Sequence, residues 1–197
     1  MAQVSGGDKL DAALKDLADR ILGAMEVRVG FLEGATYPDG DLNVPTVAAI
    51  NNFGAPEAGI PARPFFSNML AEESGGWGEV FAQALRESDM DTDLAMKRMG
   101  VIIGDALRNS IIKTDSPPLS PVTLLLRARF PQRADMTFAD VQQARSDVAT
   151  GDHLTKKGTV KKKDQGSTKP LDWTGHMKNS VEYEVNDVRY KLTEGGE

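Results

Sequence analysis

The chain has 197 residues, of which 40% are hydrophobic and 26% charged, and this is enough for one sizeable soluble domain. It has no cysteine, which excludes disulfides, thiolate nucleophiles and cysteine zinc ligands, and its two histidines leave little material for a metal site. A net charge of −6 disfavours general affinity for nucleic acid, and no stretch approaches the roughly 18 apolar residues of a membrane span.

The first quarter of the chain predicts two helices on either side of a short strand. Asp8 can cap the first helix, in which four apolar residues recur at helical spacing: Leu10, Leu14, Leu17 and Ile21. The segment MEVRVGFLE then alternates apolar and polar residues, as a half-buried strand does. After the turn-rich GATYPDGDLN, the segment VPTVAAINNFG is typical of a short helix with Pro45 near its start and Gly54 at its end.

The segment IPARPFFSNML places one arginine in a stiff apolar frame. Pro61 and Pro64 fix their own φ angles and restrict the residues before them, so the segment leads rigidly into a helix predicted over residues 64–74. Phe65 and Phe66 begin that helix and can bury one of its faces. Arg63 lies between the two prolines, and from the residues alone the favoured interpretation is a surface arginine beside the start of a helix.

Two further helices follow. GGWGEVFAQALRE begins with glycines and continues as a helix, and a longer helix is predicted from Thr92 to Ile112 with Asp91 or Thr92 as its cap. The long helix carries an apolar stripe typical of a core-spanning element, formed by Met96, Met99, Ile103 and Leu107 and widened by Ala95, Ile102 and Ala106.

Residues 113–169 form a basic insertion in an acidic chain. They hold 11 Lys and Arg against 6 Asp and Glu, a net charge of +5, whereas the remaining residues have a net charge of −11. Prolines between residues 117 and 131 predict no lasting regular element there, and Thr137 can cap a short helix in TFADVQQARSDVATG. The Lys-rich stretch after it predicts a binding loop or a disordered segment. Three adjacent leucines are expected to be buried at a contact with another subunit or with another protein: Leu124, Leu125 and Leu126.

The closing segment predicts a capped turn followed by a hairpin. Thr174 can cap a single helical turn, and Gly175 suits a close backbone approach beside it. Residues 181–185 and 188–192 both alternate as strands around the turn at Asn186 and Asp187. The predicted fold is one α+β domain over residues 1–197, with a small antiparallel sheet packed against a long helix and shorter helices, and with a long inserted loop arm at about 113–169.

No catalytic constellation appears in the sequence. There is no Ser-His-Asp order with a nucleophile turn, no glycine-rich phosphate loop and no metal-ligand spacing of histidine and carboxylate. Asp172 and His176 lie four residues apart, which indicates a surface ion pair because His176 has no nucleophile beside it. We therefore predict no catalytic residue, no metal and no cofactor, and we look for function in surfaces.

Four short segments carry a resemblance to a known family. In order they are VAAINNFG, IPARPFF, SPPLSPVTLLLR and KPLDWTGHMKNSVEYEV, which together span residues 47–185. This order resembles the tail-completion, or head–tail joining (neck), proteins of lambda-like and Mu-like tailed bacteriophages. Asn52 stands where that family often has glutamate, and residues 124–168 form a longer insertion than a minimal member carries.

The resemblance implies a structural virion protein and not an enzyme. Such a protein is assembled in the cytoplasm of the bacterial host, resides in the neck or tail of the virion, and forms an oligomeric ring or collar. Its expected partners are other copies of itself, the connector or stopper, the tail terminator and the tail tube, with no membrane involved. The residues predicted to contact partners are Arg63, Phe65, Phe66, Leu124, Leu125, Leu126, Arg127, Lys161, Lys162 and Lys163, while Pro61, Pro64, Thr174 and Gly175 are predicted to hold the backbone.

Two alternatives remain open at this stage. One is a tail-terminator or minor tail ring protein that caps the tail tube. The other belongs to a different class, a nucleic-acid-binding module that uses the Lys-rich loop. Within the neck hypothesis itself, the passing genome DNA is a further possible partner, contacted without sequence specificity. Against this module, His153 is the only ring residue between Phe138 and Trp173, so aromatic side chains that could stack on bases are lacking.

Overall fold

The computed structural model describes residues 7–21, 26–37, 43–131, 136–165 and 167–192. Its α-helices are, in chain order, α1 (Gly7–Ile21), α2 (Val44–Phe53), α3 (Phe65–Glu73), α4 (Trp77–Glu87), α5 (Thr92–Lys113), α6 (Pro121–Arg129), α7 (Phe138–Thr150) and α8 (His176–Asn179). Its strands are β1 (Val27–Gly30), β2 (Glu182–Val185) and β3 (Val188–Lys191). The predicted α+β class, with a small antiparallel sheet and one long helix, is confirmed. Within the described ranges, none of the helices is long and apolar enough to cross a membrane.

Backbone contacts divide the chain into two compact units. The first unit comprises residues 1–32, 69–107 and 181–197, and the second comprises residues 33–68 and 108–180. The division falls inside α3 and inside α5, so each unit is built from segments that are distant in the sequence.

The sheet belongs to the first unit and has the order β1-β2-β3, with both neighbouring pairs antiparallel. Tyr183 lies opposite Tyr190, and their rings stack with centroids 5.1 Å apart. The predicted turn between β2 and β3 is confirmed. Asn186 and Asp187 have φ angles of 48° and 63°. Two positive φ angles in a two-residue loop match the twist of a hairpin, and asparagine and aspartate tolerate them better than most residues.

Two glycines of α5 contact the sheet region of the same unit. A Cβ atom built on Gly100 would lie 2.2 Å from Cδ2 of Tyr183, and one built on Gly104 would lie 2.4 Å from Cδ1 of Leu192. Glycine is therefore needed here for space, because a larger residue would meet side chains that are already buried. The predicted apolar stripe of α5 is confirmed at its buried members Met99, Ile103 and Leu107, but the helix also depends on these glycines.

The close approach at Gly100 gives a stability prediction. Gly100→Ala gains helix propensity but forces the Tyr183 ring to move, and overpacking of this kind costs about 1–3 kcal/mol of unfolding free energy. Gly78→Ala in α4 is the matched control, since a Cβ there meets nothing within 4 Å and should be neutral or stabilising. Urea unfolding followed by circular dichroism measures both. Equal midpoints for the two variants would contradict the close packing at Gly100.

The second unit contains a helix that the sequence did not predict. Helix α6 begins at Pro121, where Ser120 is the N-cap and its Oγ accepts a hydrogen bond from the Thr123 N–H at 3.1 Å. The expectation of no regular element between residues 117 and 131 is therefore wrong. A proline in the first turn of a helix loses no hydrogen bond, because the N–H at that position has no partner inside the helix.

Helix α7, also in the basic insertion, was predicted correctly. Thr137 is its N-cap, and Asp140 accepts the Thr137 N–H at 2.8 Å, which completes a capping box. Helix α6 packs against α7, so the insertion contains a helix pair as well as a loop. The buried apolar residues of the second unit are Val44, Ala48, Phe65, Ile111, Leu125, Ala144, Leu171 and Met177.

Candidate functional site

The proline segment of residues 60–66 lies in the second unit and follows an irregular path between α2 and α3. The Arg63 N–H donates to the Asn51 carbonyl at 2.7 Å, and the Phe65 N–H donates to the Arg63 carbonyl at 2.7 Å. These two bonds connect the end of α2 to the start of α3. The arginine side chain is directed into the unit, and the residue is only 6% exposed.

The buried Arg63 side chain binds two main-chain carbonyls. Its Nε–H donates to the Pro117 carbonyl at 2.9 Å, and an Nη2–H donates to the Pro118 carbonyl at 3.4 Å. Burial lowers the pKa of Arg63 from its usual value, but a guanidinium remains charged at neutral pH. The acceptors are therefore carbonyls of the same chain, and Arg63 holds the proline segment against the residues that precede α6.

Asn52 performs a second connecting role from α2. Its Oδ1 accepts the main-chain N–H groups of Phe66 at 3.0 Å and Ser67 at 3.2 Å, and its Nδ2–H donates to the Ser67 Oγ at 2.9 Å. Because the first N–H groups of a helix have no partner within it, Asn52 supplies to α3 what an N-cap residue would supply. Both the carbonyl oxygen and the amino group of the buried Asn52 side chain are therefore hydrogen-bonded.

Arg127 of α6 connects that helix to the segment before α8. Its guanidinium donates to the carbonyls of Lys169 and of Pro170, the latter at 2.7 Å, and lies 5.3 Å from the ring centroid of Trp173. Burial, and then the nearby charge of Arg63, lower the pKa of Arg127. The Nε–H of Arg127 and the Nε1–H of Trp173 are buried without a hydrogen-bond partner among the residues described, and the cation–π contact offsets part of that cost.

These positions correct the assignment of several predicted contact residues. Four of them are interior residues of the chain itself, namely Arg63, Phe65, Leu125 and Arg127. A side chain with so little exposed surface is packed inside its own chain and offers little area for contact with a partner. Of the other predicted contact residues, Phe66, Leu124, Leu126 and Lys161 are half-buried, and Lys162 and Lys163 are exposed.

Arg129 at the end of α6 binds carboxylates instead of carbonyls. Its Nη2 lies 2.6 Å from Oδ2 of Asp147 in α7, and its Nε lies 3.4 Å from Oδ1 of Asp164. The hydrogen bond from Arg129, with a second from Gln143, lowers the pKa of Asp147. This ion-pair group joins α6, α7 and the turn of residues 162–164 that follows the Lys-rich loop.

The Lys-rich loop has a hydrogen-bonded base. Leu154 and Val160 form an antiparallel bridge, and the hydroxyls of Thr155 and Thr159 lie 2.8 Å apart. The Lys161 Nζ donates to the Asp152 carbonyl within the same loop. Four lysines in and after the loop are exposed: Lys156, Lys157, Lys162 and Lys163.

Gly175 is needed for its backbone conformation and not for a close approach. Its φ of 75° is left-handed, and the nearest atom to a Cβ at this position is Cε of Lys178 at 3.4 Å. Gly175 is itself the N-cap of α8, whereas Thr174 Oγ1 accepts the His176 N–H at 3.3 Å. The Asp172 carboxylate pairs with Lys178 at 3.1 Å, so the ion pair predicted with His176 is wrong.

The first unit has an apolar groove between α4 and α5, with a volume of about 420 Å³. Val80 and Ala84 line it from α4, and Val101 and Ile102 line it from α5, with Tyr183 also contributing. Sequence reasoning missed this groove, because it assigned Ile102 to the buried stripe. The available signal was that Val101 and Ile102 are adjacent, so one helix face cannot bury them both together with Met99 and Ile103.

No protein-family model, curated protein or solved structure matches this chain. Among the residues that the structure describes, no group of three or more histidine, aspartate or glutamate side chains could hold a metal ion. The second unit consists of segments connected by buried polar side chains and carries four exposed lysines in and after one loop, and the first unit has an apolar groove. These are features suited to binding other macromolecules.

The two hydrogen bonds of Arg63 give a mutational prediction. Arg63→Ala removes the hydrogen-bond donors to the carbonyls of half-buried Pro117 and exposed Pro118, and should lower the free energy of unfolding by about 1–3 kcal/mol. Arg63→Lys should lose nearly as much, because lysine lacks the planar fork that reaches both carbonyls. Arg145→Ala, at an exposed position of α7, is the control and should leave the urea midpoint unchanged. If Arg63→Lys had the same urea midpoint as this control, the planar guanidinium would not be needed for stability.

The lowered pKa of Asp147 gives a pH prediction. A carboxyl whose pKa is lower in the folded state stabilises the fold fully above its unfolded pKa of about 4, and this contribution is lost as pH falls through the folded value. Asp147→Asn should therefore be less stable than the natural chain at neutral pH, and the difference should shrink towards low pH. Urea midpoints measured from pH 7 downwards test this, with the exposed Asp115→Asn as control. A constant difference at every pH would contradict it.

Proposed function

We propose that this chain is a structural virion protein of a tailed bacteriophage, acting in tail completion and head–tail joining at the neck as part of an oligomeric ring or collar. The observation that carries the proposal is the order of four motif segments between residues 47 and 185. The packing supports it, since Asn52 and the Arg63 N–H connect the first two segments, and the Arg63 side chain connects the second to the third. Arg127 connects the third segment to the fourth.

In such a role the buried polar groups have a mechanical purpose. A protein that joins two preformed assemblies gains affinity if its contact surface is already ordered before binding, because less conformational entropy is lost. Arg63 and Arg127 bind carbonyls of segments that have no helix or strand of their own, and they order those segments in the free chain. We infer that the motif arginines act through the shape they maintain and not by touching the partner.

The exposed side chains would then make the contacts. Lys156, Lys157, Lys162 and Lys163 present positive charge on the second unit of a chain whose net charge is negative. In a neck, acidic surfaces of the connector, stopper or tail terminator, or of other copies of this chain, are the natural acceptors for them. The same exposed lysines support the second candidate, a nucleic-acid-binding module.

The virion experiment tests the neck assignment. A tailed phage that encodes this chain, carrying a deletion of its gene, should produce DNA-filled heads and tails that fail to join, as seen by electron microscopy. Cryo-EM of complemented particles should show density for the chain between head and tail. Density that caps the tail tube alone would assign it as a tail terminator. Normal joined particles from the deletion, or absence of the chain from purified virions by mass spectrometry, would overturn the proposal.

A DNA titration distinguishes the nucleic-acid-binding module from the neck protein. If the lysine cluster contacts several phosphates, the logarithm of the affinity for duplex DNA should fall steeply with the logarithm of salt concentration, by about 0.9 for each phosphate contact. Replacing Lys156, Lys157, Lys162 and Lys163 by glutamine should then reduce that slope. Under the neck proposal, the quadruple variant impairs particle assembly and the natural chain shows no appreciable DNA binding at physiological salt.

A further inference from the structure

Asp164 is a buried carboxylate inside a basic segment of the chain. It directly follows Lys161, Lys162 and Lys163, and it is only 3% exposed, whereas Lys162 and Lys163 are exposed. Residues 162–164 form a 3-10 turn that packs against α6. Successive side chains in such a turn point about 120° apart, so the burial of Asp164 directs its two lysine neighbours away from α6.

Arg129 at the end of α6 anchors this carboxylate. Its Nε lies 3.4 Å from Oδ1 of Asp164, and its Nη2 lies 2.6 Å from Oδ2 of Asp147 in α7. Asp147 is held in turn by Gln143, whose Nε2–H donates to the other carboxylate oxygen at 2.6 Å. A series of contacts therefore runs from α7 through the guanidinium of Arg129 to the turn that carries the exposed lysines.

The burial of Asp164 is costly for the stability of the fold. Its Oδ2 is buried without a hydrogen-bond partner among the residues that the structure describes, and the ion pair of its Oδ1 with Arg129 is long, at 3.4 Å. A carboxylate loses favourable hydration on burial, and one long contact offsets little of that cost. The stability of the fold therefore does not account for an aspartate at this position.

We propose that Asp164 is a positioning residue for the lysine cluster, which consists of Lys156, Lys157, Lys162 and Lys163. Its buried carboxylate fixes the turn of residues 162–164, so that two of these lysines project at set positions. The partner that such an arrangement fits is a folded protein surface with carboxylates at matching positions. The inference rests on the proposed function, in which the exposed lysines contact acidic protein surfaces.

Fixed positions matter for a protein partner and much less for a polyanion. Between two folded surfaces, opposite charges must already face each other, and side chains ordered before binding lose less entropy. A polyanion is bound mainly through the number of its charges that are neutralised. The hairpin part of the cluster is ordered as well, since the Thr155 Oγ1 accepts the main-chain N–H groups of Lys157 and Thr159, both at 3.3 Å.

Hydrogen–deuterium exchange of the isolated full chain tests the anchoring. The natural chain should exchange slowly at Lys161, Asp164 and Gln165, because their N–H groups have main-chain acceptors. Asp164→Ala should make the amides of residues 161–165 exchange at least about tenfold faster, while the amides of α7 keep their rates. Asp152→Ala is the matched control, since this exposed carboxylate of the same loop binds the Thr150 hydroxyl instead of Arg129. Fast exchange already in the natural chain, or equal rates in the two variants, would overturn the proposal.

Two binding readouts distinguish the position of the lysines from their charge. Both alanine variants remove one negative charge, so both should elute from a heparin column at the same salt concentration, no lower than that of the natural chain. In complementation of the phage deletion, Asp152→Ala should give the titre of the natural chain, whereas Asp164→Ala should lower the titre at least about tenfold. A loss of this kind runs against the gain in positive charge. Earlier elution of Asp164→Ala from heparin would indicate a polyanion partner, and equal titres of the two variants would show that the position of the lysines is unimportant; either result overturns the proposal.

A variant without the positioned lysines completes the test. In the chain that carries Lys162→Gln/Lys163→Gln, Asp164→Ala should change the titre less than about twofold, because no lysine of the turn is left to position. A further tenfold loss in this background would assign Asp164 a structural role alone and overturn the proposal. If the deletion phage forms joined particles without the chain, the proposed function fails, whereas the exchange experiment still decides whether Asp164 fixes the turn.

Discussion

The second unit depends on the hydrogen bonds of the Arg63 guanidinium to the carbonyls of Pro117 and Pro118. Two consecutive prolines have no N–H groups, so this stretch cannot join a helix or sheet that would occupy its carbonyls. The buried guanidinium of Arg63 supplies hydrogen-bond donors to these carbonyls. The carbonyls in turn offset the cost of burying its charge. The interaction therefore fixes the paths of two irregular segments at once, one of which leads into α3 and the other into α6.

Arg63, Arg127 and Arg129 of this unit use two different kinds of acceptor. Arg63 and Arg127 bind main-chain carbonyls, whose acceptor capacity does not change with pH. Arg129 binds the carboxylates of Asp147 and Asp164, and its hydrogen bond lowers the pKa of Asp147. The connections among the motif segments are thus independent of pH, whereas the connection from α6 to α7 through Asp147 weakens at low pH.

Most local elements could be predicted from the sequence, because they follow from nearest-neighbour rules. The cap at Thr137, the stop at Gly54 and the turn at Asn186 each depend on a few adjacent residues. The prediction of no regular element around Pro121 was wrong because proline can either begin a helix or interrupt one. Ser120, which caps the helix, is the residue that distinguishes the two cases.

The candidate site was less accessible to sequence reasoning. The rigid frame of Arg63 could be recognised, but its acceptors lie more than 50 residues away and are main-chain atoms, which have no signature in the sequence. The α4–α5 groove and the packing of Gly100 on Tyr183 depend on how helices meet, and no single segment carries that information.

The hydrogen bond from Arg127 to the Lys169 carbonyl affects how readily residues can be inserted or deleted between these two positions. It brings together two points that are 42 residues apart, and the segment between them contains α7 and the lysine loop. The entropy of closing a loop rises only with the logarithm of its length, so each doubling costs about 0.6 kcal/mol. Residues could be added to or removed from the exposed tip around Gly158 at little cost, while the base and the motif segments keep their positions. The lysine loop is therefore a place where reach and charge can be adjusted separately from the fold.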